Sequence, residues 1–495
     1  MEEDTGQRGP RGIHAAVGVV LALAVALAPW PDATVGRMAG VAVWMAYWWV
    51  MEAVPIPVTS LLPLVLLPGL GILDFKTVSA SYGKPTIFLF LGGFLLALGL
   101  QRSGLHRRLA LHIVQAVGSQ PARLILGFML ASALLSMWLS NTASVMVMLP
   151  IALSVIKEAE EAGVAKSTAA KLGTALMLGI AYAADIGGMA TPVGTPPNMV
   201  LIELQAELLP DLPPIAFGQW MLLGLPLSTV FLATGWFVLA KVLFATDHVD
   251  VFGGARAVGD ALGKLGPVRR DELASGGVFA ATALLWMTGA DLRLTQDLVI
   301  PGWREATGLL ELGDGAVAVA AATLLFLLPS GDRPGEALMD WDAAKDVPWG
   351  ILLLFGGGFA LAAGFQQSGL SAVVGASLGG LAGLPEPVLV AVVSLVMTFL
   401  TELTSNTATT TLVLPILADA AGTLGVDPRV LMVPATLSAS CAFMMPVASP
   451  TQAIVFGSGY VTIRQMVRAG IWFNLLGVVL VTVLFVGLGP WVFGL

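Results

Sequence analysis

The chain has 495 residues, of which 57% are hydrophobic and only 11% are charged. An average soluble domain carries about 25% charged residues, so this composition excludes an ordinary water-soluble fold. The formal net charge of −8 says little about partners, because the apolar majority of the chain is neutral. The single cysteine, Cys441, excludes an intrachain disulfide.

Apolar runs near 20 residues long recur throughout the chain, and this length crosses a hydrocarbon core of about 30 Å. The first run has no convincing small-residue cleavage site, so it predicts a retained helix that follows a cytoplasmic tail of residues 1–12. The runs together predict an all-α polytopic membrane protein with eleven spans, at about 13–31, 37–53, 56–73, 86–104, 170–193, 217–241, 272–290, 313–329, 349–369, 429–447 and 466–493.

Two further apolar stretches, 122–157 and 387–423, are each interrupted near the middle by Ser-Asn-Thr. The triplets are Ser140-Asn141-Thr142 and Ser405-Asn406-Thr407. Each stretch predicts a re-entrant helical hairpin that enters the membrane, turns at the polar triplet and returns to the same side. Between the fourth span and the first hairpin, the segment 106–117 has a basic face and an apolar face. It fits either an interfacial helix or a cytosolic extension of the fourth span.

An internal repeat relates the two halves of the chain. Gly99–Leu105 recurs as Gly364–Leu370, and both this match and the repeated triplet have an offset of 265 residues. Five crossings separate the equivalent fourth and ninth spans, so these spans run in opposite directions. Inverted repeats in transporters place the substrate site near the membrane midplane, where the halves meet. The predicted units are a first half at 13–241 with a broken helix at 170–208, a cytoplasmic loop at 242–271, and a second half at 272–495 with a broken helix at 429–459.

The distribution of basic residues predicts the orientation of the chain. With the N-terminus inside, 18 of the 24 Lys and Arg residues (24 − 6) fall in cytoplasmic segments or adjoining helix ends. Because cytoplasmic loops carry the excess of Lys and Arg, this count favours a cytoplasmic N-terminus and an external C-terminus. The six basic residues left outside are Arg37, Lys76, Lys84, Arg293, Arg304 and Arg429.

Two proline-containing breaks interrupt the fifth and tenth spans. They read Thr191-Pro-Val-Gly-Thr-Pro-Pro-Asn198 and Pro446-Val-Ala-Ser-Pro-Thr-Gln452. Proline frees carbonyl oxygens that can bind a cation, and the helix that restarts after each break presents free N–H groups that favour an anion. No Lys or Arg lies within either hairpin tip or either break. Ser, Thr and Asn in spanning helices often bond only to neighbouring helices, but their duplication beside paired breaks favours a binding site for carboxylates.

The two Ser-Asn-Thr triplets, Thr191–Asn198 and Ser440-Cys-Ala-Phe-Met-Met-Pro-Val-Ala-Ser-Pro450 together resemble the divalent anion/sodium symporter family. So does Glu52-Ala-Val-Pro-Ile-Pro-Val-Thr-Ser-Leu-Leu-Pro63. The resemblance covers nearly the whole chain. It implies a homodimer in the inner or plasma membrane, in which a transport domain moves against a scaffold by an elevator mechanism. The family's substrates include succinate, malate, fumarate, citrate and, in some members, sulfate.

The resemblance also implies residues for each ligand, carried over by motif. A first sodium site would use Ser136, Ser140, Asn141 and Gly194, and a second would use Thr401, Thr404, Asn406 and Ala448. The divalent carboxylate anion would be bound by Asn141, Thr142, Thr195, Pro196, Asn406, Thr407, Ser449 and Pro450.

Four residues need separate interpretation. Gln452 stands where the family pattern would give Asn, which changes the expected geometry of the second half. Asp185 lies inside the fifth span, where a carboxylate is a functional candidate. It is expected either to carry a proton or help bind a cation, or to be satisfied structurally by neighbouring helices. Glu402 is expected to be structural, and Glu52 to bond to a neighbouring helix end.

The sequence lacks the residue combinations that intramembrane enzymes need. All four histidines fall at or beyond the membrane edge, Asp185 has no second intramembrane Asp to pair with, and Cys441 has no nearby His. The chain is therefore expected not to be an enzyme, and no nucleic-acid partner is expected. An anion channel stays open as an alternative. Within transporters, sodium symport is favoured over a sodium-independent dicarboxylate exchanger, because no basic residue lies near the predicted cation sites.

Overall fold

Almost all of the regular structure is helical in the computed structural model, which describes residues 8–118, 120–161, 166–244, 254–293 and 299–495. The strands described are Leu292–Arg293 (β1) and Val299–Ile300 (β2), which pair antiparallel with Leu292 opposite Ile300. Seven helices in the described residues are long and apolar enough to cross a membrane. The prediction of an all-α polytopic membrane fold is confirmed.

Twelve helices form the first half of the chain and run to the start of the central loop. They are α1 (Arg8–Ala26), α2 (Ala33–Met51), α3 (Ile56–Thr59), α4 (Pro63–Gly69), α5 (Phe75–Ala80), α6 (Pro85–Ser103), α7 (Leu105–Val117), α8 (Pro121–Ser136), α9 (Asn141–Glu161), α10 (Lys166–Gly188), α11 (Pro196–Leu208) and α12 (Phe217–Phe237). A short 3₁₀ helix covers Ser81–Gly83, and a π-helix, Val238–Leu243, extends α12.

Twelve more helices follow. They are α13 (Gly254–Leu265), α14 (Arg270–Met287), α15 (Trp303–Thr307), α16 (Asp314–Leu327), α17 (Trp341–Ala344), α18 (Trp349–Ser368), α19 (Leu370–Ser377), α20 (Glu386–Thr401), α21 (Asn406–Leu424), α22 (Pro428–Ala439), α23 (Pro450–Gly457) and α24 (Ile463–Phe493), with a 3₁₀ helix at Leu378–Leu381. The predicted loop 242–271 contains α13, and its residues 245–253 lie outside the described residues, as do residues 1–7 of the predicted tail.

The predicted spans and the observed helices differ most where proline interrupts an apolar run. The third predicted span, 56–73, is divided into α3 and α4, and Pro63 begins the second piece. Proline has no N–H to continue a helix and its ring clashes with the preceding turn, so an apolar run that contains it need not be one helix. The count of eleven spans therefore stays a prediction.

The chain breaks at both polar triplets, as predicted. After α8 ends at Ser136, α9 begins at Asn141, and after α20 ends at Thr401, α21 begins at Asn406. α8 packs against α9, and both pack against α10; α20 and α21 likewise pack against α22. Two helical arms therefore meet at each triplet, and their re-entrance from one side of the membrane stays a prediction.

The repeated Ser-Gly-Leu motif has the same backbone conformation in both halves. Gly104 ends α6 with φ 84°, and Gly369 ends α18 with φ 75°. This left-handed conformation suits glycine, which has no Cβ to clash with the backbone. Because α7 starts as a separate helix after Gly104, the interpretation of segment 106–117 as an extension of the fourth span is wrong.

The two broken helices form the centre of the described structure and reach across the halves. α10, which precedes the first break, is the most buried of the candidate membrane spans, since 89% of its apolar stretch lies inside the structure. It packs against α8, α9 and α12 of its own half, and against α23 of the other. In the same way, α22 packs against α20 and α21, and against α11 from the first half. Each half therefore places the segment after its break into the other half.

Candidate functional site

One cavity of about 870 Å³ brings the predicted substrate residues together. The two hairpin tips and the two breaks all contribute to its wall. Every residue predicted to bind the anion lines this cavity: Asn141, Thr142, Thr195, Pro196, Asn406, Thr407, Ser449 and Pro450. The geometry thus unites positions that are up to 309 residues apart (450 − 141).

Four helices begin at residues of the cavity wall. α9 begins at Asn141, α11 at Pro196, α21 at Asn406 and α23 at Pro450. The first N–H groups of a helix have no partner within the helix, and the aligned peptide dipoles make this end positive. Converging helix N-termini can therefore bind an anion without a cationic side chain.

The caps before the two breaks show how closely the halves agree. Thr195 caps α11 with φ −144° and ψ 141°, and Ser449 caps α23 with φ −148° and ψ 144°. Both are extended conformations, and each is followed by proline at the first helical position, where a missing N–H does no harm. Thr195-Pro196 and Ser449-Pro450 are therefore equivalent cap segments with matching backbone geometry.

The cavity wall is almost free of ionisable side chains. No Lys, Arg or His lines it among the described residues, and Glu52 is the one acidic residue that does. Glu52 ends α2 in a left-handed conformation with φ 45°. Its exposed side chain makes no hydrogen bond or ion pair within the described residues. The expectation that Glu52 bonds to a neighbouring helix end is therefore wrong.

The residues of the first predicted sodium site gather around Gly188. The Ser136 hydroxyl donates to Oδ1 of Asn141, with 2.5 Å between the two oxygens. A Cβ at Gly188 would lie 2.8 Å from Oδ1 of Asn141 and 3.1 Å from the carbonyl oxygen of Gly194, so only glycine fits here. Three oxygens that can ligate a hard cation therefore lie close together, and Ser140 and Gly194 also face the cavity.

The second predicted sodium site repeats the hydroxyl–amide pair. Thr401 Oγ1 lies 2.6 Å from Oδ1 of Asn406 and 2.9 Å from the carbonyl oxygen of Ala439. Thr404 and Ala448 line the cavity, although the Thr404 hydroxyl is paired with that of Thr409. Thr401 and Asn406 occupy the positions of Ser136 and Asn141 after the 265-residue offset. The same local geometry thus occurs twice.

Glu402 holds the second break together, as expected for a structural role. Its Oε1 accepts from the backbone N–H groups of Phe443 and Met444 at 2.7 and 2.8 Å, and from the Asn474 side chain at 2.7 Å. Its Oε2 accepts from the backbone N–H of Met445 at 3.1 Å. Asn474 is a residue that the sequence did not single out, since only the fold brings α24 to this point.

Asp185 connects the first hairpin tip with the second break. Its Oδ1 accepts from Nδ2 of Asn141 at 2.9 Å. Its Oδ2 accepts from the Thr451 hydroxyl at 2.9 Å and from Nε2 of Gln452 at 3.0 Å. Gln452, the residue that departs from the family pattern, thus has a hydrogen-bond partner in the first half of the chain. Thr451, which the sequence did not single out, binds the same carboxylate oxygen as Gln452.

Part of the cavity wall comes from aromatic and aliphatic residues that the analysis of motifs missed. Trp49, Phe90, Phe94, Ile351 and Leu354 lie on α2, α6 and α18 and face the hairpin tips. The signal available for the end of α2 was the stretch Glu52–Pro63, which begins three residues after Trp49. The other residues carry no distinguishing pattern, because apolar residues also fill ordinary spanning helices.

Comparison with known proteins identifies the family. Residues 13–495 match the family described as "Sodium:sulfate symporter transmembrane region". The sodium-dependent dicarboxylate transporter SdcS of Staphylococcus saprophyticus is 41% identical over 459 residues, which cover 92% of this chain and 86% of the relative. SdcS of Staphylococcus aureus strain MRSA252 is 40% identical over 460 residues, with the same coverage.

Two solved transporter structures share the fold at low sequence identity. The Alcanivorax borkumensis YdaH transporter gives a TM-score of 0.55 at 17% identity, covering 84% of this chain and 88% of that one. Neisseria gonorrhoeae MtrF gives a TM-score of 0.57 at 14% identity, covering 96% of this chain and 93% of that one. With the family match over almost the whole length, the chain belongs to the divalent anion/sodium symporter family.

Proposed function

We propose that the protein is a secondary transporter that moves C4-dicarboxylates across the inner or plasma membrane by sodium symport. The observation that carries this proposal is the convergence of four helix N-termini on one cavity without any Lys, Arg or His among the described lining residues. The relatives named as sodium-dependent dicarboxylate transporters support the same substrate and coupling ion. Succinate, malate and fumarate are the substrates that we expect, with citrate or sulfate as further candidates.

The two-fold arrangement of the wall suits an anion with two negative ends. In the proposal, one carboxylate lies against Asn141 and Thr142 and the other against Asn406 and Thr407. Amide and hydroxyl donors and the helix N-termini supply hydrogen bonds and partial positive charge. Full compensation of a divalent charge requires cations. Sodium ions at the Ser136–Asn141 and Thr401–Asn406 pairs, directly behind the tips, would provide it.

The coupling of substrate to sodium follows from this arrangement. A dianion that enters a pocket without basic side chains is poorly stabilised until the cation sites are filled, because a buried charge without a counter-ion is costly. Bound sodium also reduces the freedom of the hairpin tips, since each site joins a tip to the helix behind it. Substrate binding is therefore expected to depend on sodium.

An elevator movement between two groups of helices belongs to the same proposal. The predicted transport domain contains α8–α11 and α20–α23, and the remaining spans form the scaffold. The cavity wall includes Met51 and Glu52 at the end of α2 and Pro348 at the start of α18. In the predicted orientation these are cytoplasmic ends, so the cavity would open inward. On the predicted external side, Lys84 at the start of α6 and Glu207 near the end of α11 form an ion pair, with the amino group 3.3 Å from a carboxylate oxygen. This contact would separate when the cavity opens outward.

Orientation and inverted topology can be tested with introduced cysteines in a Cys441→Ser background. Glu161, whose side chain is 68% exposed, ends the second arm of the first hairpin, and exposed Glu386 begins the second hairpin. We expect Glu161→Cys to react from the cytoplasmic side only and Glu386→Cys from the external side only. Reaction of both cysteines from one side would contradict the inverted arrangement.

The transport proposal is tested in proteoliposomes loaded with choline chloride. We expect saturable accumulation of labelled succinate driven by an inward sodium gradient and lost when choline replaces sodium. Uptake that ignores sodium and requires internal dicarboxylate would instead establish the exchanger. A conductance that follows the substrate gradient without saturation would establish a channel.

Lipid and a second copy of the chain are the remaining proposed partners. Exposed apolar side chains on α1 and α24, such as Leu23 at 58% and Val483 at 61%, support contact with lipid acyl chains. The homodimer rests on the family resemblance. Light scattering of the purified protein, corrected for detergent, would give twice the 51.3 kDa chain mass for a dimer.

A further inference from the structure

The carboxylate of Asp185 is surrounded by donors and has no cationic partner. It lies in α10, three residues before the helix ends, and is 1% exposed. The amides of Asn141 and Gln452 donate to it, and the Thr451 hydroxyl lies 2.9 Å from its Oδ2, where it donates to the charged form. An ionised carboxylate can only accept, so this arrangement fits the charged form. Within the described residues, no Lys, Arg or His forms an ion pair with it.

A buried carboxylate without a counter-ion is costly, even where hydrogen bonds stabilise it. Tyr182, one turn earlier on α10, does not relieve this charge, because its hydroxyl donates to the carbonyl oxygen of Phe443. Glu402, the other buried carboxyl group near the second break, is an acid and cannot supply a positive charge. A bound cation would supply the balancing positive charge and keep Asp185 ionised, since a buried carboxylate without a counter-ion otherwise takes up a proton.

The nearest group built to hold a cation is the first predicted sodium site. Asp185 fixes the Asn141 amide through Nδ2, which turns Oδ1 toward Ser136 and the space beside Gly188. The oxygens gathered there, from Asn141, Ser136 and Gly194, are all neutral. A cation at this point would have its nearest full negative charge on Asp185, one side chain away.

We propose that Asp185 is a positioning residue for sodium at the first site: it orients Asn141 as a ligand and supplies the negative charge that balances the ion. Thr451 and Gln452, which bind the same carboxylate, link this site to the start of α23 in the other half. The inference rests on the proposed sodium coupling and adds a charged group that the family motifs do not include. Sodium at the first site would thereby stabilise the second break as well as the first hairpin tip.

The test is Asp185→Asn, which keeps the shape of the side chain and removes its charge. Half-maximal sodium concentration is measured in two ways: for succinate uptake, and for thermal stabilisation of the purified protein by NaCl against choline chloride at constant ionic strength, without substrate. We expect this concentration to rise about tenfold or more in both measurements, since charge interactions at short range in a protein are of this order. The KM for succinate at saturating sodium should change about twofold at most, and Asp185→Glu should recover part of the sodium affinity.

Asp314→Asn is the matched control. Asp314 is a half-buried carboxylate at the start of α16, paired with Arg304 and outside the cavity wall. Its loss should lower the unfolding temperature without moving the sodium concentration at half-maximal effect. The same outcome for Asp185→Asn, a lower unfolding temperature with unchanged sodium dependence, would show that Asp185 is only structural and would overturn the inference.

Thr451→Val provides a second variant with the opposite expected sign. Removing the hydroxyl takes one donor from the carboxylate. At alkaline pH, where the carboxylate stays ionised, this leaves more negative potential at the sodium site, so thermal stabilisation should need less sodium. A need for more sodium would contradict the role of Asp185 as the balancing charge. A wild-type protein without sodium dependence in either measurement would overturn the proposed function itself, whereas a sodium-dependent wild type with an equally dependent Asp185→Asn variant would overturn only this inference.

Discussion

Replacement of Glu402 by alanine is expected to destabilise the protein strongly, because one carboxylate satisfies four N–H donors. These are the backbone N–H groups of Phe443, Met444 and Met445 and the side-chain amide of Asn474, at 2.7–3.1 Å. The residue is 4% exposed. These three backbone N–H groups lie between α22 and α23 and make no backbone hydrogen bond of their own within the described residues.

The magnitude follows from the donors that lose their acceptor. Oδ1 of Asn474 also accepts from the N–H of Phe443 at 3.3 Å, so that group keeps a partner. Three donors are left unpaired, and each costs about 1–3 kcal/mol when buried. Water from the adjacent cavity can reach part of this region, so we take the lower value, about 3 kcal/mol in total. At about 2 °C or less per kcal/mol for a large chain, the unfolding temperature should fall by roughly 5 °C.

The single cysteine gives a direct assay of this prediction. Cys441 is 0% exposed and lies two residues before Phe443, so a thiol-reactive fluorogenic dye reports its exposure when the detergent-solubilised protein is heated. The matched control is Glu386→Ala, an exposed acid at the start of the same helix, α20. The control should unfold within about 2 °C of the wild type, since exposed charges near helix ends contribute less than about 1 kcal/mol. An unfolding temperature of Glu402→Ala equal to that of the control would refute this account of the break.

Three further predictions concern the cavity and the cytoplasmic surface. Asn141→Ala and Asn406→Ala should each abolish succinate uptake while the purified protein elutes and unfolds as a folded species, because each removes a side chain shared by the proposed anion and cation sites; normal uptake by either would contradict the proposed site. Arg108→Leu should lower the free energy of unfolding by about 3 kcal/mol or more, measured by the same thermal assay. The reason is that the buried carboxylate of Glu272 loses the Arg108 guanidinium 2.9 Å away. The guanidinium of Arg102 lowers the pKa of Asp340, so their pairing stabilises the protein above the usual aspartate pKa of about 3.9 and is lost as pH falls toward the lowered value. Arg102→Gln should therefore be less stable than the wild type at pH 7, and the difference in unfolding temperature should shrink below pH 4.

The residues at the hairpin tips and breaks that line the cavity could be predicted from the sequence because their signals are local. Ser-Asn-Thr interrupts an apolar run at a defined point, and the structure starts α9 and α21 there. The repeated offset then paired the two tips, and the resemblance implied eight residues for the anion, all of which line one cavity. Neither step required knowledge of which helices touch.

The partners of the buried acids could not be predicted, because they depend on contacts between distant segments. Asp185 binds Thr451, 266 residues away, and Glu402 binds Asn474, 72 residues away. Which helix faces a buried carboxylate is decided by packing of the whole domain. The sequence left two interpretations of Asp185 open for this reason. The structure satisfies it with neighbouring side chains and, through Asn141, connects it to the residues of the first predicted sodium site.

The two halves have similar backbone geometry at their breaks but satisfy different backbone groups there. In the first half, donors satisfy carbonyl oxygens: the Thr191 hydroxyl donates to the carbonyl of Met137, and Nδ2 of Asn198 donates to the carbonyls of Gly188 and Thr191 at 3.1 and 2.8 Å. In the second half, an acceptor satisfies N–H groups, since Glu402 stands at the position of Met137 after the 265-residue offset.

The different hydrogen bonding of the two breaks also accounts for Gln452, which departs from the family motif. It occupies the position of Asn198, but its amide donates to Asp185 rather than to the backbone of its own break. With Glu402 already holding residues 443–445, the second break does not need that amide, and the side chain is free to reach into the first half. The longer Gln, the neighbouring Thr451 and the intramembrane Asp185 are therefore best understood as one unit. A change at any one of them alone leaves either a buried charge with too few donors or a buried donor without an acceptor.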